Sequence, residues 1–466
     1  MVIGRGLLVA SLTISSAAWA QPTGLPPIPA ASTSVQPVAA QQAAVDIQVA
    51  VATAPDQRAS DPGMTIEDQA EAYIEANGFA EREQRGEISV LRGFATVNVL
   101  STNPQWVAMR SLAYDGALLE AQAAYVVKQN AQIMASFTSD LFKAPGSEPP
   151  AFKPDDTDST KTAEIVRKLM ALGGGQLDKA LRELDINPAV YEKAAAPQRF
   201  VQMRAALTQK TLTTAFGQLV GLMTVQTFEK PTGQDTYKVG VVAVVSTKMK
   251  DFAQRVLSER GNFTPDPGHA GKLSEIVSDH SRLVRDFGVR WRYDAAGLPV
   301  IVSFSQWSSD YRGKDPILAE TYKDIAFKQA EQRADAQIAD FLKGSVNVKN
   351  TTEVGSELTE AANRMPDGYI EQKASVAKLL NGFQNSTRRQ AQVSITGLST
   401  LSRWTAKHPE SGQEIIGVVR TWSAASERAT RQLTDGRAPA AAGATPSSTG
   451  PGAVQSGRKL IDATDF

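Results

Sequence analysis

The chain of 466 residues is too long for one ordinary hydrophobic core, which indicates two domains. Its 49 Lys and Arg residues balance 49 Asp and Glu residues, so no net field attracts the protein to nucleic acid or anionic lipid. The absence of cysteine excludes disulfides, thiolate nucleophiles, Cys-based zinc sites and a lipid anchor on a cysteine.

The first residues have the features of a secretory signal peptide. Basic Arg5 precedes an apolar stretch, and the small residues Ala18 and Ala20 mark a cleavage site after Ala20. The apolar stretch is shorter than the roughly 20 residues that span a bilayer, and no later stretch is long and apolar enough. We therefore expect a periplasmic or secreted protein without a membrane span.

Composition divides the remaining chain. A Pro/Ala/Gln-rich region follows the signal peptide and a Pro/Gly/Ala/Ser-rich region ends the chain, and both are predicted to be disordered. Between these two regions, the same order of predicted strands and helices occurs twice along the chain. The predicted organisation is a spacer at 21–63, an α+β module at 64–258 with a helical insertion at about 150–210, a linker at 259–284, a second α+β module at 285–433 with a helical insertion at about 351–388, and a tail at 434–466.

The first reading starts with the strand candidate "EISVLRGFATVNV" and a long helix capped by Asn103 and Pro104. It continues, after the insertion, with the strand candidates "LTTAFGQLVGLMTVQTFE" and "DTYKVGVVAVVS" and the helix "TKMKDFAQRVLSER". The second reading gives the strand pair "GVRWRYDAAGLPVIVSFSQW", a long helix opened by Asp315 and Pro316, the strands "RQAQVSITGLSTLSRWT" and "QEIIGVVRTWS", and the helix "AASERATRQL".

Small residues recur at matching places in the two readings. Gly221 precedes Gly240 by 19 positions, and Gly397 precedes Gly417 by 20. Both long helices carry alanines in steps of four, which lie on one helical face. These alanines are Ala113, Ala117 and Ala121 in the first helix and Ala326, Ala330 and Ala334 in the second. The correspondence predicts a tandem duplication.

The alanine ladders predict a close seam between each long helix and a small, mainly antiparallel sheet. The strands "VGVVAVV" and "IIGVV" are apolar on both faces, as in a strand that is covered on each side. A glycine inside such a strand marks a bulge or a close approach of backbone. We therefore expect Gly240 and Gly417 to lie against the ladders, in an α+β fold.

The sequence contains no recognisable set of catalytic, cofactor-binding or metal-binding residues. His269 and His408 lie in predicted turns, His280 lies on a predicted helix surface, and none has the spacing of a metal site. No nucleophile elbow, phosphate loop or dinucleotide motif occurs. Glu331 and Asp335, interleaved with basic residues, are typical of a solvated helix face.

Other residues that could bind ligands also have structural explanations. Gly173, Gly174 and Gly175 precede a helix and could bind an anion, but a break between helices explains them better. The tryptophans near predicted strands are expected to pack in the core or on a sheet face. They are Trp106, Trp291, Trp307, Trp404 and Trp422.

A strand, an Ala-stepped helix ("AYDGALLEAQAAYV" or "AFKQAEQRADAQIADFL") and a later "GVV" strand resemble the small modules of the lipoprotein-twenty family and of the N-terminal domain of flagellar assembly protein T. The resemblance implies an exported, non-enzymatic assembly protein of the cell envelope whose partner is another envelope protein or itself. Two alternatives stay open: a hydrolase acting on a cell-wall or extracellular polymer, and a glycan- or peptidoglycan-binding protein that uses surface Trp and Tyr.

Overall fold

The computed structural model describes residues 64–142, 159–233, 236–309, 311–343, 373–381 and 395–434. The predicted signal peptide, spacer and tail, and most of the second insertion, lie outside these residues. The described residues confirm an α+β fold with two antiparallel sheets.

The first repeat contains eight described helices and three strands. In chain order these are α1 (Ile66–Ala76), α2 (Phe79–Gln84), β1 (Ile88–Val97), α3 (Trp106–Phe142), α4 (Ser159–Met170), α5 (Gly174–Glu183), α6 (Pro188–Lys193), α7 (Ala196–Gly217), β2 (Met223–Pro231), β3 (Tyr237–Ser246) and α8 (Thr247–Glu259). The connection to the second repeat contains two short 3₁₀ turns, at Pro267–His269 and Leu273–Glu275.

The second repeat has the same order of strand, long helix, strand pair and helix. Its elements are α9 (His280–Leu283), β4 (Gly288–Tyr293), β5 (Pro299–Trp307), α10 (Pro316–Lys343), α11 (373–381), β6 (Leu398–Lys407), β7 (Glu414–Ser423) and α12 (Ala424–Thr434).

The two sheets have equivalent strand orders. Sheet A runs β1-β3-β2 and sheet B runs β4-β5-β7-β6, so β5, β7 and β6 repeat β1, β3 and β2, and β4 is an added edge strand. The register shifts between Thr224 and Gln226 in β2 and between Thr400 and Ser402 in β6. Each shift follows the glycine Gly221 or Gly397 at the same distance, so the duplication extends to local irregularities.

The long helix α10 begins at the predicted Pro316, whereas α3 begins at Trp106, two residues after the predicted Pro104. The side chain of Asn103 accepts a hydrogen bond from the amide of Gln105 (2.9 Å), before α3. The side chain of Asp315 accepts one from the amide of Ile317 (2.9 Å) at the start of α10. These bonds satisfy amides that have no partner within the helix.

The alanine ladders are buried, as the seam hypothesis requires. Ala117 and Ala330 are fully buried, and the four other ladder alanines are at most 8% exposed. In the first repeat the closest approach is made by Gly93 of β1, where an added Cβ would lie 2.0 Å from the carbonyl oxygen of Ala117. The strand backbone therefore rests directly on the backbone of α3 at this position.

The prediction that Gly240 and Gly417 lie against the ladders is wrong. A Cβ on Gly240 would meet the ring of Phe94 at 3.0 Å, and one on Gly417 would meet the ring of Trp404 at 2.0 Å. Both aromatic residues lie directly across from the glycines in the neighbouring strand. The lack of a side chain on each glycine therefore leaves space for the aromatic ring of the residue paired with it. These rings lie on the face of the sheet opposite the long helix.

Gly221 and Gly397 have a different function. Their φ angles are +77° and +81°, a left-handed conformation that favours glycine. A Cβ on Gly221 would meet the backbone of Met249 in α8, and one on Gly397 would meet the backbone of Glu427 in α12, both at 2.6 Å. These glycines let the closing helix of each repeat pack against the start of β2 or β6.

Two helices that were not predicted, the end of α7 and the predicted linker differ from the sequence prediction. Helices α1 and α2 were not predicted, and α1 covers the second face of sheet A through Ile66, Ala70 and Ile74. Helix α7 continues to Gly217, where a strand was predicted. The predicted linker contributes buried side chains to the cores, because Val277 and Leu283 pack in the main apolar cluster.

The two repeats share that cluster. It joins residues of β3 and α3 to residues of β5 and β7, and all described residues belong to one compact unit. Strand β2 of sheet A also lies beside β4 of sheet B, where the amide of Trp291 contacts the sulfur of Met223 at 3.2 Å. The junction between the repeats is therefore a packed interior, and it positions the site described next.

Candidate functional site

A fully buried arginine, Arg110 of α3, occupies the junction between the repeats. Its Nε donates to Oε2 of Glu229 in β2 at 2.6 Å. Its two terminal nitrogens donate to Oε1 of Gln306 in β5 (2.9 Å) and to the carbonyl oxygen of Val284 (2.8 Å). The guanidinium thus ties a helix and strand of the first repeat to a strand of the second.

The charges of this pair hold both groups ionised. Burial alone would lower the pKa of Arg110, but the carboxylate of Glu229 reverses the effect and the pKa of Arg110 rises. Burial likewise pushes the pKa of Glu229 upward, whereas the charge of Arg110 and the nearby ring of His408 bring it well below its usual range. Tyr114 also donates to Glu229, at 3.1 Å. Each nitrogen of the Arg110 guanidinium thus donates one hydrogen bond and Oε2 of Glu229 accepts two, and such bonds offset the cost of burying an ion pair.

His408 was predicted to be a solvated turn residue, and the structure contradicts this. The ring is 1% exposed and packs edge-on against Trp106, with centroids 4.7 Å apart. Its Nδ1 accepts from the amides of Glu410 and Ser411 at 3.3 Å, so the proton lies on Nε2, which is 3.6 Å from Oε1 of Glu229. Burial lowers the pKa of His408 against the raising effect of the nearby Glu229 carboxylate.

The other histidines do not join this network. His269 is exposed and bonds to Asp266 at 2.7 Å within its own turn. His280 stacks on Trp404, with centroids 6.5 Å apart. Within the described ranges, no three His, Asp or Glu side chains are grouped in a way that could hold a metal ion.

Glu331 and Asp335 do not form a solvated face. Glu331 accepts from Arg403 of β6 at 2.8 Å, and Asp335 accepts from Arg420 of β7 at 2.8 and 3.0 Å. The two carboxylates therefore fasten α10 to sheet B. They were misread because their partners lie far away in the sequence and their neighbours on the helix are also charged.

A cavity of about 390 Å³ opens between α3 and α10, the equivalent long helices of the two repeats. Arg333 of α10 bridges the helices at this point, donating to the carbonyl oxygen of Ser111 (3.2 Å) and to Asp115 (2.7 Å). The cavity wall combines leucines with a few polar side chains. This composition is typical of a small-molecule site.

A shallower open pocket of about 820 Å³ lies at the edge strand β4. Trp291 and Tyr293 project from the same face of this strand and are half-buried, with ring centroids 5.5 Å apart. Phe252 stacks on Trp291 at 4.1 Å, and Lys248 and Asp266 contribute charged groups. The three other predicted tryptophans of the core, Trp106, Trp404 and Trp422, are buried.

The first turns of α10 form an exposed apolar face, which we call the α10 face and define as Ile317, Leu318, Tyr322 and Ile325. These side chains are between 41% and 76% exposed. Leu318, Tyr322 and Ile325 follow the i, i+4, i+7 spacing that places residues on one side of a helix. From Ala326 onward one side of the same helix is buried, so the α10 face belongs to the turns that precede its contact with the sheet.

The remaining predicted features have structural roles. Gly173 is the N-cap of α5, and Gly174 and Gly175 are the first two residues of that helix, so the glycines lie at the break between α4 and α5. In the part of the chain that the structure describes, no helix is both long and apolar enough to cross a bilayer.

Sequence reasoning missed Arg110 and Glu229, although a charged residue within an apolar helical stripe or an apolar strand was a usable signal of a buried ion pair.

Comparisons with known proteins show similarity without assigned activity. The profile of a family described as "Domain of unknown function (DUF6844)" matches residues 162–258, from α4 to α8. A search of the curated proteins finds no match. Among solved structures, a hypothetical protein from Francisella tularensis is similar, with 23% identity, a TM-score of 0.49, and coverage of 79% of this chain and 94% of that chain.

Proposed function

We propose that the protein is an exported, non-enzymatic assembly protein of the bacterial cell envelope. The observation that carries the proposal is the α10 face, because an amphipathic helix that presents apolar residues at i, i+4 and i+7 is the form in which helices dock into an apolar groove of a partner protein. The predicted signal peptide and the resemblance to exported assembly modules support the same function.

The alternative of pairing through a sheet edge has less support. At the outer edge of β1, the amide of Val90 donates to Glu83 at 3.1 Å and the amide of Phe94 donates to Glu120 at 2.8 Å. Carboxylates that occupy these donors leave fewer of them for an incoming strand. The proposed partner is therefore an envelope protein with an apolar groove that receives α10.

The test is site-specific photo-crosslinking in intact cells. A crosslinking residue at Tyr322 is expected to capture one envelope protein, whereas the same residue at Glu320, exposed on another side of α10, is expected to capture little. Cell fractionation of the full chain checks export at the same time. Equal capture at the two positions, or a full chain that stays in the cytoplasm, contradicts the proposal.

A second candidate function is carbohydrate binding at the pocket beside β4. Neighbouring half-buried rings with charged groups at their margin suit a sugar, which stacks on aromatic faces and bonds through its hydroxyls. Replacing Trp291 with Ala is expected to abolish retention on peptidoglycan or a chitin oligosaccharide. Trp307→Ala, at a half-buried tryptophan of β5, is the matched control. Equal retention of both variants rejects this candidate.

A further inference from the structure

The cavity between the long helices α3 and α10 is large enough for a small organic molecule. Its volume is about 390 Å³, which corresponds to roughly a dozen water molecules. Protein interiors contain few voids larger than a single water. Sites that enclose small molecules have volumes of about 300–1,000 Å³, and this cavity falls within that range.

The wall of the cavity has an exposed part and a buried part. Leu112 of α3 lines the cavity and is 44% exposed. Leu222, Phe341 and Leu380 also line it, and these side chains are buried. A molecule that enters beside Leu112 therefore reaches an apolar interior, which suits an aliphatic chain.

The charged residues of the wall already interact with other groups of the protein. Asp115 and Arg333 form an ion pair between the two helices at 2.7 Å. Asp340, the other acidic residue of the lining, also interacts with another group. A charged ligand would therefore lose hydration without gaining a free counter-charge, and this disfavours its binding.

One polar atom of the wall lacks a partner. Nε of Arg333 is buried, and no hydrogen-bond acceptor of the described residues reaches it. The terminal Nη2 of the same side chain donates to the carbonyl oxygen of Ser111 at 3.2 Å. An unpaired buried N–H is costly, and an oxygen atom of a ligand would satisfy it.

We propose that this cavity binds an uncharged amphiphile, a molecule with an aliphatic chain and a neutral head that carries an oxygen acceptor, as in an alcohol. The buried side chains Leu222, Phe341 and Leu380 contact the chain, and Nε of Arg333 donates to the oxygen of the head. The site is independent of the α10 face, because none of the four residues that define that face lines the cavity.

Isothermal titration calorimetry of the full chain at neutral pH tests the proposal with three probes of equal chain length: n-octanol, n-octylamine and n-octanoate. Octanol is expected to bind at least about tenfold more tightly than either ionised probe, because its head loses less hydration on burial. No binding of octanol, or an ionised probe that binds as tightly as octanol, overturns the proposal.

Two substitutions test whether octanol binds in this cavity. Leu119→Trp fills the cavity and is expected to abolish octanol binding. Leu257→Trp, at an exposed position of α8, is expected to leave binding unchanged. Circular dichroism checks that both variants are folded. Undiminished binding of octanol by the folded Leu119→Trp variant overturns the proposal.

A pair of arginine variants tests the hydrogen bond without filling the cavity, so it remains decisive if Leu119→Trp fails to fold. Arg333→Lys keeps a positive charge beside Asp115 but removes Nε, and it is expected to weaken octanol binding about tenfold. Arg403→Lys makes the same change at an arginine of β6 that donates to Glu331 of α10 outside the cavity, and it is expected to have no effect. Equal affinities of the two variants for octanol overturn the proposal.

Discussion

Protonation of His408 is predicted to destabilise the folded chain as the pH falls from 7 to 5. The ring is buried, Arg110, Glu229 and Arg285 are the charged groups that act on its pKa, and Glu410 lies in the same turn. Burial lowers the pKa of His408 in the folded chain, whereas in the unfolded chain it is about 6.5. The unfolded chain therefore binds the proton first, and acidification favours unfolding.

The size of the effect follows from one proton. Below pH 6.5 and above the folded pKa, the free energy of unfolding falls with a limiting slope of about 1.4 kcal/mol per pH unit. Glu229 acts in the same direction at lower pH. Because its pKa in the folded chain is depressed, the ionised carboxylate stabilises the folded chain above about pH 4.3, and that stability is lost as the pH falls further. The window between pH 6.5 and 5 thus isolates His408 from the carboxylate.

Urea unfolding at half-unit steps from pH 8 to pH 5 measures this slope. His408→Asn keeps an acceptor for the amides of Glu410 and Ser411 but cannot titrate in this window, so its slope is expected to be smaller by up to about 1.4 kcal/mol per pH unit. The variant is less stable than the wild type at pH 8 because ring contacts with Trp106 are lost, and the two curves converge on acidification. Parallel curves would refute the reasoning.

Three further substitutions test the packing of the repeats, with stability measured by urea unfolding. Gly93→Ala is expected to destabilise the chain because its Cβ would enter the backbone of α3. The control Gly116→Ala, whose Cβ meets only Ala95 at 3.8 Å, should be neutral or stabilising by up to about 1 kcal/mol. Equal effects of the two substitutions on stability would disprove the close approach of β1 to α3. Ala117→Leu and Ala330→Leu should each overpack a seam, cost about 1–3 kcal/mol and lower the melting temperature, so an unchanged melting temperature removes the seam. Glu229→Gln leaves a buried guanidinium without its counter-charge and should cost about 3–5 kcal/mol; a loss below about 1 kcal/mol would show that the pair is dispensable.

The repeated order of elements along the chain could be predicted because its signals are local. Apolar runs such as "VGVVAVV" identify strands, and the caps at Asn103 and Asp315 fix where the long helices begin. The equivalent spacing of Gly221 and Gly397 from the strand glycines then related the two halves. Each of these signals lies within about twenty residues of the chain.

The buried network could not be predicted, because its members come from distant parts of the chain. Arg110 and Glu229 are 119 positions apart, and His408 belongs to the opposite repeat. A histidine in "KHPESG" has the local pattern of a solvated turn, and its burial results from docking of this hairpin on α3. Only the tertiary contact distinguishes the two environments.

The end of α7 shows the same limit within one element. The residues "TLTTAFG" have the β-branched composition of a strand, which favours the wrong prediction. In the structure, Leu212, Ala215 and Phe216 are buried at helical spacing and pack in the main cluster. Tertiary packing therefore overrides the local propensity at this position.

The carboxylates along β1 have a consequence for self-association of the chain. Growth of a fibre by strand addition needs a row of backbone amides without hydrogen-bond partners on a flat edge strand. Carboxylates beside such a row disfavour pairing with a second copy of the chain. Glu120 also receives the ammonium of Lys373, at 2.7 Å, from the other repeat. Lys373 therefore holds in place the carboxylate that occupies the amide of Phe94, so the edge of the first sheet is covered with the help of the second repeat.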